Sequence, residues 1–164
     1  MNPRIHRLHI DFQRMQELER NSPYVKIDQT TGNPPEIYVL HLTCKGIISL
    51  HNNKPDFSAS HKIAVSLDKE YPRCNPHLTM ITSVFHPNIY SSGIIDVGAW
   101  FPYMLLSDVI VQVIRLIRYE YFDTWSPSNR AALIWAVNNR HLFPLEDAQI
   151  VRPDTIDNVG RSFG

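Results

Sequence analysis

Seven residues near the middle of the chain limit the fold more than any others. Leu105, Leu106, Val109, Ile110, Val113, Leu116 and Ile117 fall at helical spacing and make an apolar stripe too wide for a surface helix. A helix of this kind has to be covered, and the preceding segment offers the cover as β-branched and aromatic runs separated by turn residues. Val25 and Ile27 alternate with polar residues until Thr31-Gly32-Asn33-Pro34-Pro35 breaks the run. Residues 37–48 read as one long strand with Tyr38, Leu40 and Leu42 on a shared face, and residues 51–57 as a turn. Residues 62–67 alternate again, and residues 78–85 form another strand. The expectation is an α+β fold: a four-stranded antiparallel meander with the apolar helix laid across it.

The flanks complete the plan. Ile5, Leu8, Phe12, Met15 and Leu18 recur at steps of three and four, opposite a polar face of Arg4, Arg7, Asp11, Arg14, Glu17 and Arg20. This predicts an amphipathic first helix that stops at Asn21-Ser22-Pro23. Ser107 or Asp108 is expected to cap the central helix. Ser126-Pro127 is expected to open another helix, running to about Asn139. From Arg140 the pattern turns polar. We therefore divide the chain into a domain over 1–140 and a C-terminal extension over 141–164, partly ordered or available for docking.

Composition excludes several classes. Sixteen basic residues balance sixteen acidic ones, so no overall field attracts nucleic acid or an anionic membrane. Cys44 and Cys74 have neither the number nor the spacing of a disulfide framework or a zinc site. No apolar run approaches the ~18 residues that a membrane span needs, nor does the N-terminus hold a signal-peptide core. A soluble cytoplasmic protein without cofactor or metal is the expectation.

One segment speaks to function: His86-Pro87-Asn88-Ile89-Tyr90-Ser91-Ser92-Gly93-Ile94-Ile95-Asp96. With it go Tyr71-Pro72 and Pro76, Trp100-Phe101-Pro102, Leu106-Ser107-Asp108-Val109-Ile110, and Ser126-Pro127-Ser128-Asn129-Arg130-Ala131-Ala132. In this order and spacing they resemble the ubiquitin-conjugating enzymes over roughly residues 3–139. The resemblance implies the UBC-like fold: N-terminal helix, four-stranded meander, central helix on the sheet and C-terminal helices. It also implies a cysteine ten positions after the His, where this chain has Asp96. Only three residues then separate Asp96 from Trp100, fewer than active members have.

A carboxylate is a poor substitute for that cysteine. Conjugation moves an acyl group between thiolates and then to a lysine amine. A thiol of pKa ~8.5 supplies a strong sulfur nucleophile with little activation. A carboxylate of pKa ~3.9 is ionised yet weakly nucleophilic, and its acyl product would be a hydrolysis-prone anhydride. The resemblance therefore points to a ubiquitin-conjugating enzyme variant lacking the catalytic cysteine. Such a pseudoenzyme would work as a binding or scaffold subunit for ubiquitin or a ubiquitin-like protein, an active conjugating enzyme, or an adaptor complex. Two alternatives stand beside it: an enzyme using Cys74 as a displaced nucleophile, and a module that recognises Pro-rich peptides.

The candidate residues carry two readings each. His86, Pro87, Asn88 and Asp96 form the degenerate site. Asn88 is either an oxyanion-stabilising amide or a turn residue bonding local backbone, and His86 fits a hydrogen-bonded structural histidine. His86 and Asp96 lack a third ligand at a metal-binding spacing. Asp123 falls in a loop that, by resemblance, lies near the incoming lysine, or else simply flanks a helix start. Trp100, Phe101 and Tyr103 either cover the core or, if exposed together, form a partner surface.

Overall fold

The structure is a computed structural model that describes residues 2–145 and Ile150. Helix α1 (Pro3–Asn21) opens on an Asn2 side chain that accepts the Arg4 N–H at 2.9 Å, with proline in its first turn. Strands β1 (Val25–Gly32), β2 (Pro35–Leu42), β3 (Gly46–His51), β4 (Lys54–Ser58), β5 (His61–Ser66) and β6 (His77–Met80) follow. Helices α2 (Leu106–Ile117) and α3 (Arg130–Asn138) complete the domain, with a short 3-10 turn at Arg140–Leu142.

The main sheet runs β1-β2-β5-β6, antiparallel throughout. Residues 37–48 are one strand in sequence but two in space. The chain bends after Leu42 and resumes as β3, which pairs with β4 in a second two-stranded sheet. At the bend a Cβ on Gly46 would stand 2.5 Å from Ile117 Cγ2, so only glycine lets the hairpin lie against α2. His61 closes the same bend, its Nε2–H shared between Cys44 O at 2.9 Å and Ser58 O at 3.0 Å. The expected turn over 51–57 shrinks to Asn52-Asn53, both at positive φ, which leaves β4 paired to β3. The last strand is also shorter than residues 78–85, ending at Met80.

Tyr38, Leu40, Leu42, Ile63, Val65, Leu78 and Met80 face inward from the sheet. Against them α2 buries seven residues: Leu106, Val109, Ile110, Val113, Ile114, Leu116 and Ile117. At ~1.5–3 kcal/mol per fully buried large aliphatic side chain, that face alone contributes roughly 10–20 kcal/mol of gross burial. Leu8, Met15 and Leu18 of α1 close one side, and Ile150 joins the same core. A second core of Ile47, Tyr119, Trp135 and Ala136 lies under the β3–β4 hairpin, whose tip is tied to α3 by Trp135 Nε1–H donating to Asn53 O at 3.1 Å.

Three local expectations need correction. Asp11 does not lie on a solvated face of α1; it is wholly buried. Its Oδ2 accepts from Tyr71 OH at 2.6 Å and Arg7 Nε at 2.9 Å, and its Oδ1 accepts the Leu106 N–H at 3.0 Å. The last bond overturns the second expectation, because α2 starts at Leu105 without a side-chain cap from Ser107 or Asp108. A carboxylate from another helix satisfies that terminus instead. Third, α3 opens at Asn129, whose Oδ1 accepts the Ala132 N–H at 3.0 Å, and not at Ser126.

Candidate functional site

The segment from His86 to Asp96 is held at both ends and along one side. Ahead of it, the Phe85 N–H donates to Ile47 O at 2.7 Å, and the Tyr119 hydroxyl donates to Phe85 O. The middle folds into a small hairpin on the free edge of β6. Met80 N–H donates to Gly93 O at 2.8 Å, Ile95 N–H to Leu78 O at 3.0 Å, and Tyr90 N–H to Ile94 O at 2.9 Å. Gly93 sits at φ +98°, where an added Cβ would meet Met80 O at 2.9 Å, so the close passage over β6 requires glycine. Ile89 and Ile95 point into the main core and anchor the hairpin.

His86 is fully buried, with its ring edge-on to Tyr119 at 4.6 Å. Its Nδ1 accepts the Asn88 N–H at 2.9 Å, which fixes the proton on Nε2. Burial pushes the imidazole down to about 3, opposed weakly by the Tyr121 backbone. A neutral ring with its acceptor nitrogen already used is a structural histidine. Among the described residues no cluster of three or more His, Cys, Asp or Glu is placed to hold a metal.

Asn88 is the joint of the site. Its carbonyl accepts the Asp96 N–H at 2.8 Å, its Nδ2 donates to Asp96 O at 3.3 Å, and its Oδ1 accepts the Asp123 N–H at 2.9 Å. The side chain thus spans two separate segments, a longer reach than the local turn contact read from sequence. Pro87 O accepts the Asn129 N–H at 2.9 Å and binds the same segment to the start of α3.

Asp96 lies directly beside Asn88, half-buried. Its carboxylate Oδ1 accepts the Gly98 N–H at 2.9 Å, a turn that the positive φ of Gly98 permits. Asp123 is close in space through Asn88, but its carboxylate is turned into its own loop, accepting from Trp125 N–H at 2.8 Å and Ser126 N–H at 3.3 Å. Trp125, the next aromatic, is 94% exposed. Cys74 is exposed on the connection between β5 and β6, with its N–H donating to Glu70 O at 3.2 Å, while Cys44 is buried in the main core.

The aromatic trio divides. Trp100 covers the core: its Nε1–H donates to Pro72 O at 2.9 Å and its ring lies 5.7 Å from Tyr71. Phe101 and Tyr103 are exposed at 50% and 79% and stack on each other at 5.6 Å with 9° between ring planes. Arg7, missed as a positioning residue because it reads as surface charge, holds their loop from below by donating to the Pro102 and Met104 carbonyls. The signal available in the sequence was its i, i+4 relation to Asp11.

A family model described as "Ubiquitin-conjugating enzyme" matches residues 7–146. The chain belongs to the ubiquitin-conjugating enzyme family. Among its relatives in the family, Ubiquitin-conjugating enzyme E2 1 of Caenorhabditis elegans is 27% identical over 99% of this chain and 80% of its own length. Ubiquitin-conjugating enzyme E2 2 of Candida albicans is also 27% identical, over 56% of this chain and 52% of its own length. In fold, the family member matches a Trypanosoma cruzi structure described as a ubiquitin conjugating enzyme, at TM-score 0.61 and 18% identity, covering 82% of this chain and 90% of that one. It matches human Ubiquitin-conjugating enzyme E2 G1 at TM-score 0.51 and 17% identity, covering 66% and 92%. The UBC-like α+β fold expected from the sequence is thus the fold observed. Among the described residues, no helix is long and apolar enough to cross a membrane.

Proposed function

We propose that this family member is catalytically silent and acts as a non-covalent binding subunit in a ubiquitin or ubiquitin-like conjugation pathway. The observation that carries the reading is Asp96, clamped at its backbone by both ends of Asn88 and ten positions after His86. By resemblance that is the position of the acyl-carrying cysteine. A carboxylate there forms no thioester, and the Asn88 amide is already committed to Asp96 O. Three residues between Asp96 and Trp100, with Trp100 tied to Pro72 O, leave a short loop beside it.

What remains is a scaffold with surfaces to offer. Phe101 and Tyr103 form a rigid exposed aromatic pair, the kind of group that anchors protein interfaces. Asp123 and the loop it organises stand on the other side of Asn88. The partners we propose are ubiquitin or a ubiquitin-like protein, an active conjugating enzyme, or an adaptor complex, met in the cytoplasm.

Isotope-labelled protein titrated with ubiquitin, and separately with an active conjugating enzyme, tests the binding. The expected result is saturable shifts from at least one partner that include the amides of residues 101–104. Two partners that leave every amide unmoved at high micromolar concentration would refute it. The exposure of Cys74 favours one other reading, a displaced nucleophile, which predicts an adduct with ubiquitin that Cys74→Ser abolishes.

A further inference from the structure

Proline follows serine at two places in the chain, Ser22-Pro23 and Ser126-Pro127, and follows threonine at none. The fold treats the two pairs oppositely. Ser22 is 5% exposed at the end of α1, and its Oγ accepts the Tyr24 N–H at 3.2 Å. Ser126 is exposed, in the irregular loop between α2 and α3. Because α3 opens only at Asn129, Ser126-Pro127 stays outside the helix. The proline also disfavours helical backbone at Ser126 and biases it to the extended form, the form in which a chain enters another protein's groove. The neighbours sharpen the choice: Trp125 is 94% exposed, whereas the Ser128 Oγ is buried.

We propose that Ser126 is a phosphorylation site for a proline-directed serine/threonine kinase, and that its phosphoryl group displaces the Asp123 carboxylate from this loop. A kinase pocket for the residue after the acceptor can select proline, which brings no N–H that needs a partner. In the transfer the Ser126 Oγ bonds the γ-phosphorus of Mg²⁺-ATP as that phosphorus loses its bridging oxygen. ADP leaves with the bridging oxygen, and the hydroxyl proton passes to the general base of the kinase. The product carries about −1.5 to −2 charges at neutral pH. One acid stands against it. Asp123 Oδ1 accepts the N–H of Trp125 at 2.8 Å and that of Ser126 itself at 3.3 Å. A phosphate on Ser126 repels this carboxylate and competes for the same N–H groups. The disturbance then travels. The Asp123 N–H donates to Asn88 Oδ1 at 2.9 Å, and Asn88 Nδ2 donates to Asp96 O at 3.3 Å. The Asn129 N–H on Pro87 O, at 2.9 Å, holds the start of α3 independently, so the loop loosens while the helix stays. Phosphorylation thus alters the face beside Asn88 and Asp96, whether or not Asp96 can carry an acyl group.

The full chain is incubated with a mitogen-activated protein kinase and Mg²⁺-ATP, and the phosphorylated residue is mapped by mass spectrometry. Ser126 should take one phosphoryl group while Ser22 stays unmodified. Pro127→Ala should be modified at Ser126 at least about tenfold more slowly. Amide hydrogen exchange then compares the phosphorylated with the unmodified protein. The Asp123 N–H should exchange at least about tenfold faster, with strands β2 and β5 unchanged. In Asp123→Asn, where the repelled charge is gone, the change on phosphorylation should stay under about threefold. Phosphate at Ser22, or at neither of the two serines, overturns the proposal, and so do equal rates for wild type and Pro127→Ala. Unchanged exchange at Asp123, or the same acceleration in Asp123→Asn, overturns the displacement. Faster exchange that extends to β2 and β5 would make the effect global, and also overturns it.

Discussion

Replacing Asp11 by alanine should be among the most damaging single changes on α1, although its neighbours in sequence are charged and exposed. The carboxylate is wholly buried and accepts three bonds, from Tyr71, Arg7 and the Leu106 N–H. Removing it leaves a largely buried guanidinium without its counter-charge and the first N–H of α2 without an acceptor. Breaking a buried pair by deleting one partner costs about 3–5 kcal/mol. An orphaned N–H on its own accounts for ~1–3 kcal/mol, so the lower end of that range is secure. For a domain whose whole stability is of order 5–15 kcal/mol this is a large fraction. At ~2–4 °C per kcal/mol, the melting temperature should fall by roughly 6–20 °C. Urea unfolding followed by circular dichroism measures the free-energy loss, and a thermal melt the temperature. Arg14→Ala is the control, because the Arg14–Glu17 pair is about half exposed at both ends and should contribute less than ~1 kcal/mol. If Asp11→Ala costs no more than Arg14→Ala, the buried network does not hold α2 and the 100–104 loop as argued.

Three other outcomes follow from the same geometry. His86 is held neutral, with its folded value at about 3 against ~6.5 unfolded, so its contribution is complete above pH 6.5 and lost as pH falls below it. The loss is ~1.4 kcal/mol per pH unit, about 2 kcal/mol by pH 5, and a urea midpoint series should be flatter for His86→Gln than for wild type. Gly46→Ala drives a methyl to 2.5 Å from the buried Ile117 Cγ2, and overpacking of that kind should cost ~1–3 kcal/mol in thermal melts. Phe101→Ser/Tyr103→Ser should leave the melting temperature within a degree or two, yet weaken binding to whichever partner shifts residues 101–104 by about tenfold or more in calorimetry.

The elements legible in the sequence were those whose side-chain period matched their burial. Tyr38, Leu40 and Leu42 alternate and all face inward, and the stripe from Leu106 to Ile117 is the buried face of α2. The domain's limits were harder, and the expected extension over 141–164 lies mostly outside the described residues. Period could not reveal the bend after Leu42, because hydrophobicity continues through it, and the close approach to Ile117 that Gly46 permits is not written in the period. Nor could period place Asp11, since a charged residue beside an apolar stripe is normally solvated. Its partners, Tyr71 and Leu106, are 60 and 95 residues away. His86, Asn88, Asp96 and Asp123, all singled out in the sequence, lie together in space, with Asn88 hydrogen-bonded to the backbones of Asp96 and Asp123. Trp100 parted from Phe101 and Tyr103 because its indole N–H found a carbonyl at Pro72 and theirs is a loop turned to solvent.

The most direct test of the silent-scaffold account is charging. The full chain is incubated with an activating enzyme, ATP and labelled ubiquitin, then resolved on a non-reducing gel beside an active conjugating enzyme. The account predicts no reductant-sensitive band from wild type or from Cys74→Ser. A band that reducing agent removes, and that disappears in Cys74→Ser, would contradict it and make the protein an enzyme with a relocated thiol.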